Sequence, residues 1–430
     1  MMEINAMRPT GKNNFDSLAN VIGEFKAAAD FLSLSPDQRA FIEDPRFSIR
    51  MTLPIRLDNG RIVSLKAYHT IHSIMRGPSI GGVQFRTSVD LDIVEALAFW
   101  STHRCALLNI PFGGSYGAIE CDASMYSLGE MERISRRYMA ELSQLIDPDN
   151  DVITDDIGSN QQIMCWFMDT YSMHYGDFVP AIALGKPTDL GGAKYTIYPA
   201  ASGAALCVTK ACEYLKINIK GSKVAIQGFG KVGMNLAQIL DKAGASIIAI
   251  SDISGAYINE KGIDVDKVVW HQQSNGMLDG LEGEVDVEKM EDPMSIFELP
   301  VDILIPAAVE LQITENNMFK IKAKIIAEVS HDPVSPIADR YLHEKGVLII
   351  PDILCSSGGI IGRYLEWVQN RIGYYWSEER VNTEIQNLLG KALDQTIEFA
   401  TQKNISLRLA PAVLAVSRVA KAAELRGVYA

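Results

Sequence analysis

Hydrophobic residues recur at helical spacing near the start of the chain and then give way to strand-like runs. Between Asn14 and Leu34 they fall on one side of a helix, which predicts an amphipathic helix there. The runs Phe47–Leu57 and Arg61–His69 are strand-like, and the turn-forming residues between them predict a β-hairpin. Further helices are predicted over Asp90–Cys105, within Asp122–Ile146 and over Ser159–His174. The first region therefore combines strands with helices.

A group of glycine and proline residues then interrupts this periodicity. Gly185, Lys186 and Pro187, followed by Gly191 and Gly192, predict a hinge because glycine and proline end helices. Beyond the hinge, helical segments alternate with short apolar runs of the kind buried in a parallel sheet. Predicted helices cover Gly203–Leu215 and the residues up to about Ala243, and predicted strands cover Lys223–Gln227, Ser246–Ile250, Asp302–Pro306, Ile325–Glu328 and Val347–Pro351.

The pattern predicts an α/β fold with two domains. A chain of 430 residues exceeds the size at which single cores stop growing, roughly 250–300 residues. We expect an N-terminal α/β substrate and assembly domain over 1–184 and a Rossmann-type doubly wound dinucleotide-binding domain over 185–399. From Glu366 onward the pattern is helical with a polar break at Lys403–Ser406, and a C-terminal helix at about 400–430 is expected to return to the first domain.

The composition of the chain limits the kinds of molecule that it is expected to bind. A formal charge of −13 argues against nucleic acid and anionic membranes, both of which select a basic face. No run of about 18 apolar residues and no signal peptide is visible, so a cytoplasmic location is expected. The six cysteines lack metal-ligand spacing, which predicts reduced, buried thiols and no metal site.

A glycine-rich turn between a predicted strand and a predicted helix is the strongest chemical signal. In the Rossmann fingerprint the first glycine permits a tight turn, the second lets backbone amides approach a pyrophosphate, and the third allows helix–strand packing. A turn that binds nothing is the alternative. The candidate cofactor residues in this segment are Gly228, Phe229, Gly230, Lys231, Val232 and Gly233.

Asp252 follows the next predicted strand, about twenty residues after the glycines. A carboxylate there can accept hydrogen bonds from the ribose hydroxyls, and it favours NAD because it repels a 2′-phosphate. Lys231 offsets part of that charge, so NADP stays open. A solvated loop acid is the alternative for Asp252.

The chain resembles the glutamate, leucine, phenylalanine and valine dehydrogenase family from about Pro45 to its last residues, most closely the hexameric glutamate dehydrogenases. That family removes ammonia from an L-amino acid and passes hydride to NAD(P). The resemblance therefore implies a small-molecule amino or keto acid ligand and a homo-oligomer, a hexamer by resemblance. Its landmarks are Gly77-Pro78 with Gly81-Gly82, Cys105 to Gly114, Asp155 to Gly158, Trp166 to Tyr171, Gly185 to Pro187, Gln227 to Gly230, Ile305 to Ala308, Pro351 to Leu354, Glu366 to Gln369 and Leu425 to Gly427.

The resemblance also locates a substrate site whose residues have changed. Asp156 matches the aspartate that shuttles protons, whereas Tyr116 stands where the catalytic lysine is expected. A phenol is neutral at pH 7 and cannot supply the missing positive charge. Ile80 replaces the lysine that reaches the side-chain carboxylate, Arg104 replaces the lysine for the α-carboxylate, and Arg363 replaces a serine.

Each changed position has an alternative interpretation. Tyr116 can be a packing residue that fills the space of the lysine, and Asp156 can be an inert remnant. Arg363 and Ile80 can together form a different pocket, in which the arginine holds an acid and the isoleucine walls its tail.

On the cofactor side, Ser202 lies in the segment Ala201-Ser202-Gly203, which replaces A-T-G, and Ala307 lies in Ile305 to Ala308. The E-G-A-N segment that touches the cofactor reads Glu328 to His331, and its His331 is either a cofactor neighbour or a hydrogen-bonded bystander.

Three interpretations of function follow. In the first, the chain has lost standard glutamate deamination and is a nucleotide-binding regulatory or sensing homologue, possibly beside a catalytic paralogue. In the second, it is a redirected oxidoreductase that uses Tyr116, Asp156, Arg104 and Arg363 on another amino or keto acid. In the third, Lys194 in an altered loop replaces the lost ammonium.

Overall fold

The computed structural model describes residues 17–195 and 198–427. The N-terminal domain begins with helices α1 (Ser17–Phe31) and α2 (Pro36–Glu43), and α1 confirms the amphipathic helix predicted at the start. Helices α3 (Leu91–Leu107), α4 (Leu128–Leu142) and α5 (Gln161–Tyr175) pack against the sheet. Its strands are β1 (Phe47–Arg56), β2 (Ile62–Ser73), β3 (Ser79–Arg86), β4 (Gly113–Glu120), β5 (Asp151–Asp155) and β6 (Ala183–Leu184).

Among the described residues these strands form a six-stranded mixed sheet in the order β1-β2-β4-β3-β5-β6. β1 and β2 are antiparallel, which confirms the predicted hairpin. From β4 to β6 the strands are parallel. The carboxyl ends of β3 and β5 therefore lie at one edge of the sheet, where β5 ends at Asp155 and Asp156 follows.

The sequence analysis did not predict β3, β4 and β5. These strands are buried on both faces, so polar and apolar positions do not alternate along them. β3 and β4 also contain glycines, which lower strand propensity. Their neighbours require these glycines: a Cβ atom on Gly81 would lie 1.6 Å from the carbonyl oxygen of Ser115.

The second domain contains a seven-stranded sheet in the order β10-β9-β8-β7-β11-β12-β13 among the described residues, parallel from β8 to β13. Its succession of strands and helices confirms the α/β fold class. Its strands are β7 (Lys223–Gln227), β8 (Ser246–Asp252), β9 (Gly255–Ile258), β10 (Glu288–Lys289), β11 (Ile303–Pro306), β12 (Ile325–Ala327) and β13 (Leu348–Ile350). Its helices are α6 (Pro199–Leu215), α7 (Lys231–Lys242), α8 (Val265–Asn275) and α9 (Pro336–Glu344).

The C-terminal segment connects the two domains. It consists of α10 (Asp352–Cys355), α11 (Ser357–Ile372), α12 (Glu378–Lys403) and α13 (Leu409–Arg426). α13 packs against α3 and α1 of the N-terminal domain. There the Arg418 Nη1 donates a hydrogen bond of 2.8 Å to the carbonyl oxygen of Ala106.

No helix in the described ranges is long and apolar enough to span a membrane. The cysteines are all free thiols, and five of the six are buried. Within 17–195 and 198–427, no group of three or more His, Cys, Asp or Glu side chains has the arrangement of a metal site.

Candidate functional site

The glycine-rich turn joins the end of β7 to the start of α7. Gly228 has φ +97°, and a Cβ atom there would lie 2.6 Å from the Ala307 carbonyl oxygen. A Cβ atom on Gly233 would lie 2.0 Å from the Gly228 carbonyl oxygen, whereas one on Gly230 would meet nothing within 4 Å. The turn is thus closed on its inner side and open at the helix N-terminus. This geometry fits a dinucleotide pyrophosphate.

The other candidate cofactor residues surround this turn. Phe229 is buried beneath it, and Val232 is half-buried. The ammonium of Lys231 lies 4.3 Å from the centre of the Tyr198 ring, and burial lowers the pKa of Lys231. Ala307 donates its amide to the Gln227 carbonyl oxygen at 2.7 Å. The open side of the turn is therefore lined by one cation and one aromatic ring.

Asp252 ends β8, and its carboxylate is held in place by backbone donors. Oδ1 accepts from the amide of Ser254 at 2.8 Å, and Oδ2 accepts from the amide of Leu278 at 2.8 Å. The Ser254 hydroxyl also donates to Oδ1 at 2.5 Å. Oδ2 has one lone pair left, so it has acceptor capacity for a ribose hydroxyl. The neighbouring Ile253 is 74% exposed, which leaves an apolar surface beside the carboxylate.

Tyr116 and Asp156 lie on the same side of Gly82. A Cβ atom on Gly82 would be 3.0 Å from the Tyr116 hydroxyl and 2.7 Å from Asp156 Oδ2. Tyr116 is only 7% exposed, as expected of a residue that fills space. Burial raises the pKa of Asp156 above its usual value, although a hydrogen bond from the Ile157 amide and the charge of Arg104 oppose this. The described structure therefore places a neutral phenol, not an ammonium, beside this carboxyl group.

Arg104 lies near the end of α3 and faces two carboxyl groups. Its charge acts on Asp156 and Asp352, but no ion pair to Arg104 exists among the described residues. Its Nε is buried and has no hydrogen-bond partner. The guanidinium consequently has donors to spare for a ligand.

His331 belongs to a group of four polar side chains, with Tyr116, Asp156 and Arg104, that we call the cleft. Its Nδ1 lies 3.3 Å from Asp352 Oδ2, and its ring stacks on Trp100 at a centroid distance of 6.2 Å. Burial acts to raise the pKa of Asp352, but the hydrogen bond from His331 and nearby cations lower it below the usual value. The sequence analysis assigned no role to Trp100 or Asp352, because only folding brings α3 and α10 to His331.

Arg363 is paired within the protein. Its Nε and Nη2 lie 2.9 and 2.6 Å from Asp155 Oδ1, and its Nη1 donates to the Tyr195 hydroxyl at 3.1 Å. Nη1 also lies 3.6 Å from Glu366 Oε2. The sequence analysis assigned no role to Asp155 or Glu366; charged residues inside otherwise buried segments were the available signal.

The remaining candidate residues lie at three different places in the structure. They are Ser202, Ile80 and Lys194. The Ser202 hydroxyl accepts a hydrogen bond of 2.7 Å from the Gln386 side chain. Ile80 is fully buried in the core and presents no surface to a ligand, so a substrate role would require this part of the core to open. The pocket proposed between Ile80 and Arg363 stays a prediction. Lys194 is exposed to solvent.

Two protein-family models match this chain. One family model, described as Glu/Leu/Phe/Val dehydrogenase, dimerisation domain, matches residues 45–173, and a second, described as Glutamate/Leucine/Phenylalanine/Valine dehydrogenase, matches residues 191–427. The chain belongs to this dehydrogenase family. The family predicted from the sequence is confirmed, whereas the roles of the individual site residues stay predictions.

Similar family members cover nearly the whole chain. The NAD-specific glutamate dehydrogenase of Staphylococcus aureus is 38% identical over 418 residues, which are 97% of this chain and 99% of the relative. The glutamate dehydrogenase of Thermotoga maritima is 35% identical over 411 residues, 95% and 97% of the two chains. A crystal structure of hetero-hexameric glutamate dehydrogenase from Thermus thermophilus, in a leucine-bound form, superposes with a TM-score of 0.92 at 32% identity and covers 99% of this chain and 100% of that chain.

Proposed function

We propose that this family member binds NAD(H) but does not deaminate glutamate, and that it is a regulatory or sensing subunit. The observation that carries the proposal is the position of Tyr116 beside Asp156. The reaction of the family needs a cation to polarise the reacting carbon, and the phenol cannot provide one. Loss of one acid–base group typically costs about 10²–10⁴-fold in rate.

The geometry of the second domain supports the proposal that the chain binds NAD. Gly228 and Gly233 fit a closed turn, and Gly230 leaves room for the pyrophosphate. Asp252 is oriented at the end of β8, where a carboxylate favours NAD over NADP. The similar enzyme of Staphylococcus aureus is NAD-specific. Bound NAD would supply a hydride acceptor, which this chain would hold without using.

Assembly with related chains supports a regulatory role. The similar Thermus protein is a hetero-hexamer, so subunits of this fold can share one assembly. We therefore propose that this chain forms hexamers alone or with a catalytic paralogue. The ligand that it senses would be a small amino or keto acid.

A redirected oxidoreductase is the second candidate. The paired His331 and Asp352 favour it, since they place a titratable side chain in the same cleft as Asp156 and Arg104. This candidate predicts turnover with an amino or keto acid other than glutamate.

One experiment separates the two candidates. The purified protein is titrated with NADH and NADPH, and NAD(P)-dependent turnover is measured with glutamate and with a panel of other amino acids. Tight NADH binding without turnover supports the regulatory role. Turnover with another amino acid supports the redirected enzyme, and turnover with glutamate contradicts both.

A further inference from the structure

A cavity of about 330 Å³ lies between the C-terminal end of α12 and the elements α6, α9 and β13 of the second domain. None of its lining residues belongs to the candidate cofactor site or to the candidate substrate site. The volume is near the lower end of the range for small-molecule sites, about 300–1,000 Å³. The cavity can therefore hold a small organic molecule and is too small for a dinucleotide.

The wall of the cavity on the side of β13 and α12 is apolar. Val347, Leu348 and Ile349 line one side, and Ile397 and Ala400 line the other. Ile349 and Ala400 are buried, whereas the other three residues are half-buried. Burial of aliphatic carbon atoms against such a wall is favourable. A ligand that fits here needs an apolar chain.

One end of the cavity is formed by two carboxylates that share one cation. Arg408 Nη1 and Nη2 donate to Glu328 at 2.8 and 2.6 Å, and its Nε donates to Asp339 Oδ1 at 3.2 Å. All three guanidinium nitrogens are therefore engaged. In the part of the chain that the structure describes, Asp339 Oδ2 accepts no hydrogen bond. This end of the cavity thus has an acceptor for a ligand and no cation to spare.

The C-terminal end of α12 adds negative potential to the same cavity. This helix of 26 residues ends at Lys403, and Thr401 and Asn404 from its end line the cavity. The carbonyl end of a helix carries a partial negative charge, which favours a cation. The Lys403 side chain is exposed and is not part of the lining. An ammonium group on an apolar chain therefore complements both the polar end and the wall.

The Arg408 ion pair also connects the cavity to the cleft. Glu328 Oε2 accepts a hydrogen bond of 3.1 Å from the amide of Asp352, and Asp352 Oδ2 lies 3.3 Å from His331 Nδ1. Three successive polar contacts thus lead from Arg408 to His331. A ligand that pairs with Asp339 changes the charge balance at the start of this series.

We propose that this cavity is a regulatory site for a primary amine with an apolar chain of about five carbons. The ammonium group binds Asp339 Oδ2, and the chain lies against the apolar wall. Amino acids are excluded, because their carboxylate would face Glu328, Asp339 and the end of α12 with no free donor on Arg408. The site is separate from the proposed function, since neither NADH nor turnover is involved.

Three ligands with one branched carbon chain test the charge requirement: isoamylamine, isoamyl alcohol and L-leucine, which adds a carboxylate to the amine. Binding to the full-length protein is measured by isothermal titration calorimetry. Burial raises the pKa of Glu328 to about 7, so we choose about pH 8, where Glu328 is ionised and an alkylammonium keeps its proton.

We expect isoamylamine to bind at least about tenfold more tightly than either of the other ligands, as a hydrogen bond between charged groups provides. Equal or tighter binding of the alcohol or of leucine overturns the proposal. The absence of saturable isoamylamine binding below about 10 mM overturns it as well.

Variants identify the residues responsible. Asp339→Asn should weaken isoamylamine binding at least about tenfold and leave isoamyl alcohol binding unchanged, which also shows that the variant is folded. Glu298→Gln is the matched control, because it removes a carboxylate of the same domain that pairs with Lys320 at 2.8 Å outside the cavity. Ile405→Phe enlarges a lining side chain and should weaken binding of the amine and the alcohol alike. Equal effects of Asp339→Asn and Glu298→Gln, or full amine affinity in Ile405→Phe, overturn the assignment.

Hydrogen–deuterium exchange locates the bound amine on the chain. We expect isoamylamine to slow amide exchange in residues 400–409 and in residues 328–332, and to have no such effect on Asp339→Asn. Slower exchange only in other parts of the chain overturns the site. Slower exchange in residues 400–409 alone overturns its regulatory connection to the cleft.

Discussion

At the scale of single residues, three glycines of one turn have different surroundings. The space beside Gly230 is open, whereas Gly233 touches the Gly228 carbonyl oxygen. A methyl group at position 230 would therefore enter the open space assigned to the dinucleotide, whereas one at position 233 would meet the protein backbone.

Alanine substitutions should separate these two effects. Gly230→Ala is expected to leave the free energy of unfolding within about 1 kcal/mol of wild type and to weaken NADH binding about tenfold or more. Gly233→Ala should lower the unfolding free energy by more than about 1 kcal/mol through overpacking. Denaturant unfolding and NADH fluorescence titration measure both. Unchanged NADH affinity in Gly230→Ala would contradict the assignment of this turn.

Two buried histidines make stability depend on pH. Burial lowers the pKa of His72 from 6.5 to about 4 and that of His103 to about 3. The unfolded chain therefore binds a proton that the folded chain does not, and each histidine costs stability as pH falls below 6.5. Buried carboxylates with raised pKa, such as Glu328, act in the opposite direction. The contribution of one histidine to the pH dependence is therefore measured as a difference in unfolding free energy between a variant and the wild type.

His72→Gln removes one of these groups. As the pH falls from 6.5 to 4, the unfolding free energy of this variant should increase relative to that of the wild type by about 1.4 kcal/mol for each pH unit. Denaturant titrations at several pH values measure this slope, and the shared carboxylates cancel in the difference. Parallel curves for the two proteins would show that His72 is not buried in its neutral form.

At the scale of elements, Arg418 makes polar contacts that join α13 to α3 and α12. Arg418 donates to the carbonyl oxygens of Ala106 and Leu107 at the end of α3, where helical carbonyl groups lack partners, and to Gln395 on α12 at 2.8 Å. The half-buried guanidinium of α13 thus caps the end of α3 and also binds α12.

Arg418→Met should lower the free energy of unfolding by about 1–3 kcal/mol, because it leaves the Leu107 carbonyl oxygen unpaired and removes the donor to Gln395. Arg371→Met, which removes an exposed pair with Asp149, is the control and should cost about 0–1 kcal/mol. Denaturant midpoints compare the two. An equal loss in both variants would argue that the cap contributes little.

At the scale of the whole molecule, the proposed loss of glutamate deamination involves both domains. Tyr116 is in the N-terminal sheet, while Arg363 reaches Asp155 from α11 on the other side of the cleft. We therefore expect that a single reversion does not restore the site.

Tyr116→Lys is expected to give no NAD-dependent glutamate turnover. The new ammonium would enter a site that is 7% exposed, and Arg363 would still be bound to Asp155. A spectrophotometric assay with glutamate and NAD measures this, with an NADH titration to show that the variant is folded. Turnover in this variant would mean that the lysine position alone decides activity.

The sequence by itself determined the family, the α/β class and the glycine-rich turn, because these depend on local periodicity and on short-range spacing. The hairpin β1–β2 and strand β7 were predictable for the same reason. The tertiary structure alone decided that β3 and β4 are strands, since their glycines are explained only by the chain that lies against them. It also decided that Ile80 is core and that Arg363 holds Asp155, residues 208 positions apart. Pairing of charges between two domains depends on how the domains meet, which no local pattern of residues encodes.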